Sequence, residues 1–143
     1  MTHDATHHRP RMLAAFANHM IAVMDDLDHA QQALRALMEQ EHLHEHDLEL
    51  LMGEAGEERL DFTGERHGLL ARLRRNVQKL TDEYEYARRY ELELLRGHVL
   101  IVAAVHHEAQ ARRMCHLLRA RGGHFIHYYG PLMVESFCPD PEA

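Results

Sequence analysis

The chain is poor in the residues that most enzymes and disulfide scaffolds depend on. Only two cysteines, Cys115 and Cys138, occur in 143 residues, and their separation matches no zinc or thioredoxin-type motif. Cys115 reads as a small buried hydrophobe on a helix and Cys138 as a thiol in a tail, a usage that fits a reducing compartment. There is one serine, Ser136, and no serine or cysteine nucleophile has a visible base partner. HExxH, CxxC and glycine-rich phosphate loops are all absent. No run of about 18 apolar residues is present, and Met1 to Arg11 lacks the apolar centre of a secretory signal. A cytoplasmic protein without a membrane span is the expectation. Basic residues are also in deficit: 16 Lys and Arg against 23 Asp and Glu give a net charge of −7. That balance argues against nucleic acid or anionic membranes as general partners.

What the chain does have is histidine, 15 in all, the side chain that titrates near neutrality and most often ligates metals. His42, His44 and His46 form an alternating run, His106 and His107 a pair, and His124 and His127 bracket a short apolar stretch. The composition is otherwise that of one globular domain, 45% hydrophobic and 27% charged, long enough to bury a core without staples. We expect a flexible tail over residues 1–16, a domain over 17–137 and a second tail over 138–143.

Along the domain, His19 to Met24 reads as a buried strand ending in Asp25 and Asp26. Asp28 then suits an N-cap with Gln31 closing a capping box, and Ala30, Ala33, Leu34, Leu37 and Met38 make one helical face up to about Gln40. Asp47 to Met52 reads as a second strand, halted by Gly53 and Gly56. Glu54 to Gly68 is loop-like. Helical periodicity resumes at Leu69, Leu73, Val77 and Leu80, and Thr81-Asp82 opens a further helix that Gly97 ends. Val99 to Val105 is the plainest strand, Ala111, Met114, Cys115 and Leu118 form the next helical stripe, and Phe125 to Tyr129 the last strand.

Two strand–helix–strand units with right-handed crossovers interleave into an antiparallel sheet. The expected fold is therefore α+β and ferredoxin-like, with four strands in the order 4-1-3-2 and a helical insertion over residues 66–96 between strands two and three. The first and third strands are apolar on both faces, so the second face needs a cover. Either the insertion helices or a second subunit would supply it, and a homodimer through the sheet face or those helices is the expected assembly.

The landmarks Val23-Met24-Asp25-Asp26, Ala30, Ala33, Leu34 and Leu37, then Tyr90, Leu94, Gly97 and Val99 to Val102, then Gly123 and Tyr128-Tyr129-Gly130 form a pattern. From Ile21 to Phe137 it resembles the small bacterial general-stress, heat-induced-stress-type α/β domains. That resemblance implies a ferredoxin-like core, a bacterial source and no established catalysis. The insertion departs from it, being Arg- and Glu-rich, and so does the histidine content.

In the expected topology the starts of strands one and two share an edge with the ends of strands three and four. That edge would collect His19, the His42–His46 run, His106, His107 and His127 with Tyr129, with Glu45 and Glu108 nearby. An extended backbone would point His44 and His46 to one side, toward His106 or His107, a set able to hold zinc, nickel or another divalent transition metal. Solvated strand ends give the same pattern. Tyr86 and Tyr90, one helical turn apart, suit packing of the insertion on the core. Asp25, Asp26 and Asp28 with His98 and His124 mark the opposite edge, where helix capping is the simpler account. The basic run Arg72, Arg74, Arg75 and Lys79 suits pairing with Glu83 or Glu85. Two function classes follow. One is a non-enzymatic, oligomeric binding or regulatory module, stress-associated by resemblance. The other is a small metal-dependent enzyme or metal-binding protein using the histidine edge.

Overall fold

The computed structural model describes residues 17–53, 72–74, 85–131 and 133–140. Its elements run β1 (His19–Met24), α1 (Leu27–Gln40), a 3₁₀ turn (Glu45–Asp47), β2 (Leu48–Met52), β3 (Arg72–Arg74), α2 (Glu85–Leu95), β4 (Val99–Ala104), α3 (Glu108–Ala120), β5 (His124–Tyr129) and β6 (Val134–Glu135). The class is α+β. Among the described residues the sheet has six strands, in the order β3-β2-β4-β1-β5-β6, not the four expected. β1 pairs antiparallel with both β4 and β5, and β4 pairs antiparallel with β2. The two extra strands sit at the edges: β3 runs parallel to β2, and β6 antiparallel to β5.

Residues 72–74 thus correct the helix reading around Leu73. A free strand edge leaves backbone N–H and C=O groups unpaired, and β3 satisfies those of β2. The rest of that helical stripe (Leu69, Val77 and Leu80), the Thr81-Asp82 cap, the 54–68 loop, the 1–16 tail and the partners of the basic run lie outside the described residues.

Side-chain alternation explains the layers. Met20, Ala22 and Met24 of β1, Val99, Ile101 and Ala103 of β4, and Leu48, Leu50 and Met52 of β2 face one side, packed under Ala30, Ala33, Leu34 and Leu37 of α1 and Met114 and Leu118 of α3. The intervening residues Ile21, Val23, Leu51, Leu100 and Val102 face the other side and are buried with Tyr90 and Leu94 of α2. The insertion therefore supplies the cover that the two-sided apolar strands required. Each large apolar side chain so buried contributes about 1.5–3 kcal/mol.

Helix ends follow local chemistry, with one correction. Asp26, not Asp28, caps α1: its backbone is extended and its carboxylate accepts the His29 N–H at 2.8 Å. Gln31 closes no capping box and is instead buried, 8% exposed. Gly97 ends α2 with φ +90°, a conformation that favours glycine. There the Gly97 N–H donates to Leu94 O and the His98 N–H to Glu93 O, both at 3.0 Å, which satisfies two terminal carbonyls.

The cysteines overturn the expectation of free thiols. Cys115 of α3 and Cys138 form a disulfide across 23 residues, and no cysteine among the described residues is free. Residues 138–140 are accordingly not a loose tail. Arg119 donates to Cys138 O at 2.7 Å and pairs with Asp140 at 2.9 Å.

Candidate functional site

At one end of the sheet the register sets His19 of β1 beside Ala104 of β4 and Tyr129 of β5, with the start of β2 alongside at Leu48 and Ala103. Asn18 pins this end. Its φ of +65° is one that asparagine tolerates better than most residues. The Asn18 N–H donates to Tyr129 O at 2.6 Å, and Asn18 O accepts the Val105 N–H at 2.8 Å. The result is an open cleft of 610 Å³ lined by Asn18, His19, His106, His107, Glu108 and Tyr128 among others.

The cleft's groups are chemically defined. His19 Nδ1 lies 2.9 Å from Ala17 O. A carbonyl only accepts, so Nδ1 carries the proton and Nε2 holds the ring's lone pair when neutral. His107 is the N-cap of α3 and makes no side-chain capping bond. The His106 N–H is taken by Gln110 Oε1 at 2.8 Å. Burial pushes the Tyr128 hydroxyl above its usual pKa, as do the Glu108 and Glu135 carboxylates, so it stays a neutral donor.

Beside the cleft, Asp47 organises the histidine run. It is 9% exposed and its Oδ2 accepts the His44 N–H at 2.9 Å. His106 Nε2 lies 3.4 Å from Oδ2 and His46 Nε2 3.7 Å from Oδ1. Burial pushes the Asp47 carboxyl up, but the His44 N–H and the His106 and His46 imidazoles outweigh it and hold its pKa below the ordinary value. His44 and His46 do lie together, their rings stacked at 5.4 Å. They do so across a 3₁₀ turn, however, and not on the extended backbone expected. Of the four, the His46 and His106 rings approach Asp47, the His44 ring stacks on His46, and His106 and His107 line the cleft with His19. Among the described residues no three His, Cys, Asp or Glu side chains are placed to hold a metal ion.

Two further residues expected at this edge do not face the cleft. His127 lies further along the strand, paired with Ile21 and stacked on Tyr86 at 4.4 Å, whereas Tyr129 stands at the edge beside His19 but turns its ring to α2. The Tyr129 hydroxyl is buried and donates to the Tyr90 hydroxyl at 3.1 Å. Burial, together with Tyr129, raises the Tyr90 pKa well above its usual value.

The opposite end of the sheet holds a second polar group. Glu93 of α2 is 2% exposed and accepts from Arg89 Nε at 2.7 Å and from His98 Nδ1 at 2.5 Å. His124 Nε2 donates to Asp25 at 2.7 Å, and His98 lies 3.9 Å from the same oxygen. Burial raises the Glu93 pKa, but the Arg89 and His98 bonds and charges win and lower it. Asp25 thus pairs with imidazoles, while its neighbour Asp26 caps the helix.

Sequence reading missed Asp47, Asn18, Tyr128 and Glu93. Glu93 carried a signal: it stands among Tyr86, Tyr90 and Leu94 on the apolar stripe of α2, where a carboxylate must find partners. Asp47 carried one as well, as the acid that closes the alternating histidine run. No protein-family model matches this chain, and no curated protein or solved structure matches it either. Among the described residues no helix is long and apolar enough to cross a membrane.

Proposed function

We propose that the protein is a non-enzymatic binding and regulatory module whose ligand site is the histidine-lined cleft. The observation that carries this reading is the cleft's content. The His106 and His107 imidazoles and the Tyr128 hydroxyl offer donors, His19 Nε2 offers a lone pair, and Glu108 offers one carboxylate. Donors and a carboxylate in one open cleft suit a small zwitterion, its carboxylate toward the His106, His107 and Tyr128 donors and its ammonium toward Glu108. His19 is engaged by a backbone oxygen and His106, His98 and His124 by carboxylates, which favours recognition over nucleophilic chemistry. The stress-type role, the bacterial source and the cytoplasm belong to the same reading through the family resemblance. So does a ferredoxin-like plan for β5-β1-β4-β2, supported by the β1-α1-β2 and β4-α3-β5 units. Self-association through α2 is part of it too: Leu92 and Leu95 are 45% and 73% exposed there, and light scattering tests it.

Titration with free α-amino acids, followed by calorimetry and by the histidine ring signals, tests the ligand. We expect saturable binding that moves the His19, His106 and His107 signals. Removing either His107 or Glu108 should weaken it about tenfold, the loss of one charge-assisted contact. Absence of saturation, or shifts confined to the His98–His124 end, would remove the proposal.

A further inference from the structure

The C-terminal segment is a strap with one covalent attachment. From Met133 to Asp140 it lies along β5 and α3. Met133 O accepts the Gly130 N–H at 2.9 Å, and β6 pairs with Tyr128 and Tyr129. Phe137 stacks on Tyr128 and carries the Arg112 guanidinium 4.6 Å over its ring. Cys138 is bonded to Cys115, and Asp140 Oδ1 accepts the Phe125 N–H at 2.9 Å. A cavity of 320 Å³ lies between strap and sheet, lined by Arg89, Phe125, His127, Ser136 and Asp140 among others.

Phe125 is where the strap meets the rest of the molecule. Its φ is +50°, a left-handed conformation that a bulky side chain adopts only when its surroundings enforce it. The pairing of β5 with β1 shifts register at this point, between Ile21 and Val23. The Phe125 ring contacts Tyr86 and Tyr90 edge-on, both at 5.4 Å, and the Arg89 guanidinium sits 4.3 Å over it. Its amide therefore answers to the strap and its ring to α2, so the residue couples the two.

We propose that the Cys115–Cys138 disulfide is a redox latch: a dithiol reductant opens it, frees the strap and loosens Phe125, and with it the packing of α2. Cys138 is the less buried of the two, at 9% exposure against 1% for Cys115, and is the one a reductant reaches first once the strap breathes. A reductant thiolate attacks Cys138 Sγ and the Cys115 thiolate leaves and takes a proton. The reductant's second thiolate then displaces Cys138, so two electrons pass to the protein and the dithiol ends as a disulfide. This inference does not depend on the cleft or its ligand.

The test uses the full chain, oxidised and then treated with dithiothreitol. Alkylation and intact mass count the thiols, hydrogen exchange reads the Phe125 amide, and tyrosine emission reads α2, since the chain has no tryptophan. We expect two alkylated thiols on reduction, unchanged far-ultraviolet dichroism and at least about tenfold faster exchange at Phe125. Asp140→Ala should speed that exchange with the disulfide intact, and Cys138→Ser should match the reduced protein. Three results would each overturn the latch: thiols that react only in denaturant, reduction that unfolds the sheet, or reduction that leaves Phe125 and the tyrosines unchanged.

Discussion

Replacing Glu93 by alanine tests the idea that a buried carboxylate fastens α2 to the sheet. The side chain is 2% exposed and accepts two charge-assisted hydrogen bonds, from Arg89 and from His98. Such bonds are worth roughly 1.5–3 kcal/mol each. Arg89 and His98 are partly exposed, at 40% and 25%, so both partly rehydrate when their acceptor is removed. The expected loss is therefore about 3 kcal/mol, near the low end for breaking a buried pair. For a domain of this size that is a fall in Tm of about 10 °C. Glu93→Gln keeps the shape and one acceptor and should lose about half as much. The pH dependence has a definite sign. The folded pKa of Glu93 lies below its usual value, so its stabilisation is full above the unfolded pKa and disappears as pH falls through the folded one. Wild type should therefore lose stability between about pH 5 and pH 3 more steeply than Glu93→Gln. Urea unfolding of both variants, with His98→Ala to close a double-mutant cycle, is the assay. A change under about 0.5 kcal/mol for Glu93→Ala, or a coupling to His98 near zero, would refute the argument.

Asp47→Asn should cost about 1–2 kcal/mol in urea unfolding, because the His44 N–H and the His106 imidazole lose a charged acceptor. The Asp47 pKa is also lowered, so the variant should flatten the same acid limb of the stability curve, and the His106 ring signals should move. Gly123→Ala should destabilise by roughly 1–3 kcal/mol in a thermal melt, since its Cβ would sit 2.8 Å from Leu118 O and 3.3 Å from Met24 Sδ.

The parts legible in sequence were those whose cause is local. β1, β4 and β5 are short apolar runs between turn signals, and Gly97 and Gly122-Gly123 mark the ends of α2 and α3. The two-sided apolarity of Ile21, Val23, Leu100 and Val102 required a cover, and Tyr86 and Tyr90 on α2 pack as their spacing suggested. What escaped depends on partners far along the chain. β3 is a strand because β2 offers an open edge, not because Arg72-Leu73-Arg74 alternates. Cys138 looks like a free thiol until α3 brings Cys115 beside it. At the cleft, the gathering of His19, His106 and His107 followed from topology. The His44–His46 pair stays exposed on its 3₁₀ turn, where the His44 N–H and the His46 ring meet Asp47, because a turn and not an extended strand carries it.

Among the described residues the outermost strands, β3 and β6, are three and two residues long. A neighbouring chain seeking to extend the sheet would find few backbone groups in line, too few to template a continuous ladder. Crowding this protein should therefore favour contacts between helices and loops, which separate on dilution, over the irreversible cross-strand stacking that open sheets invite.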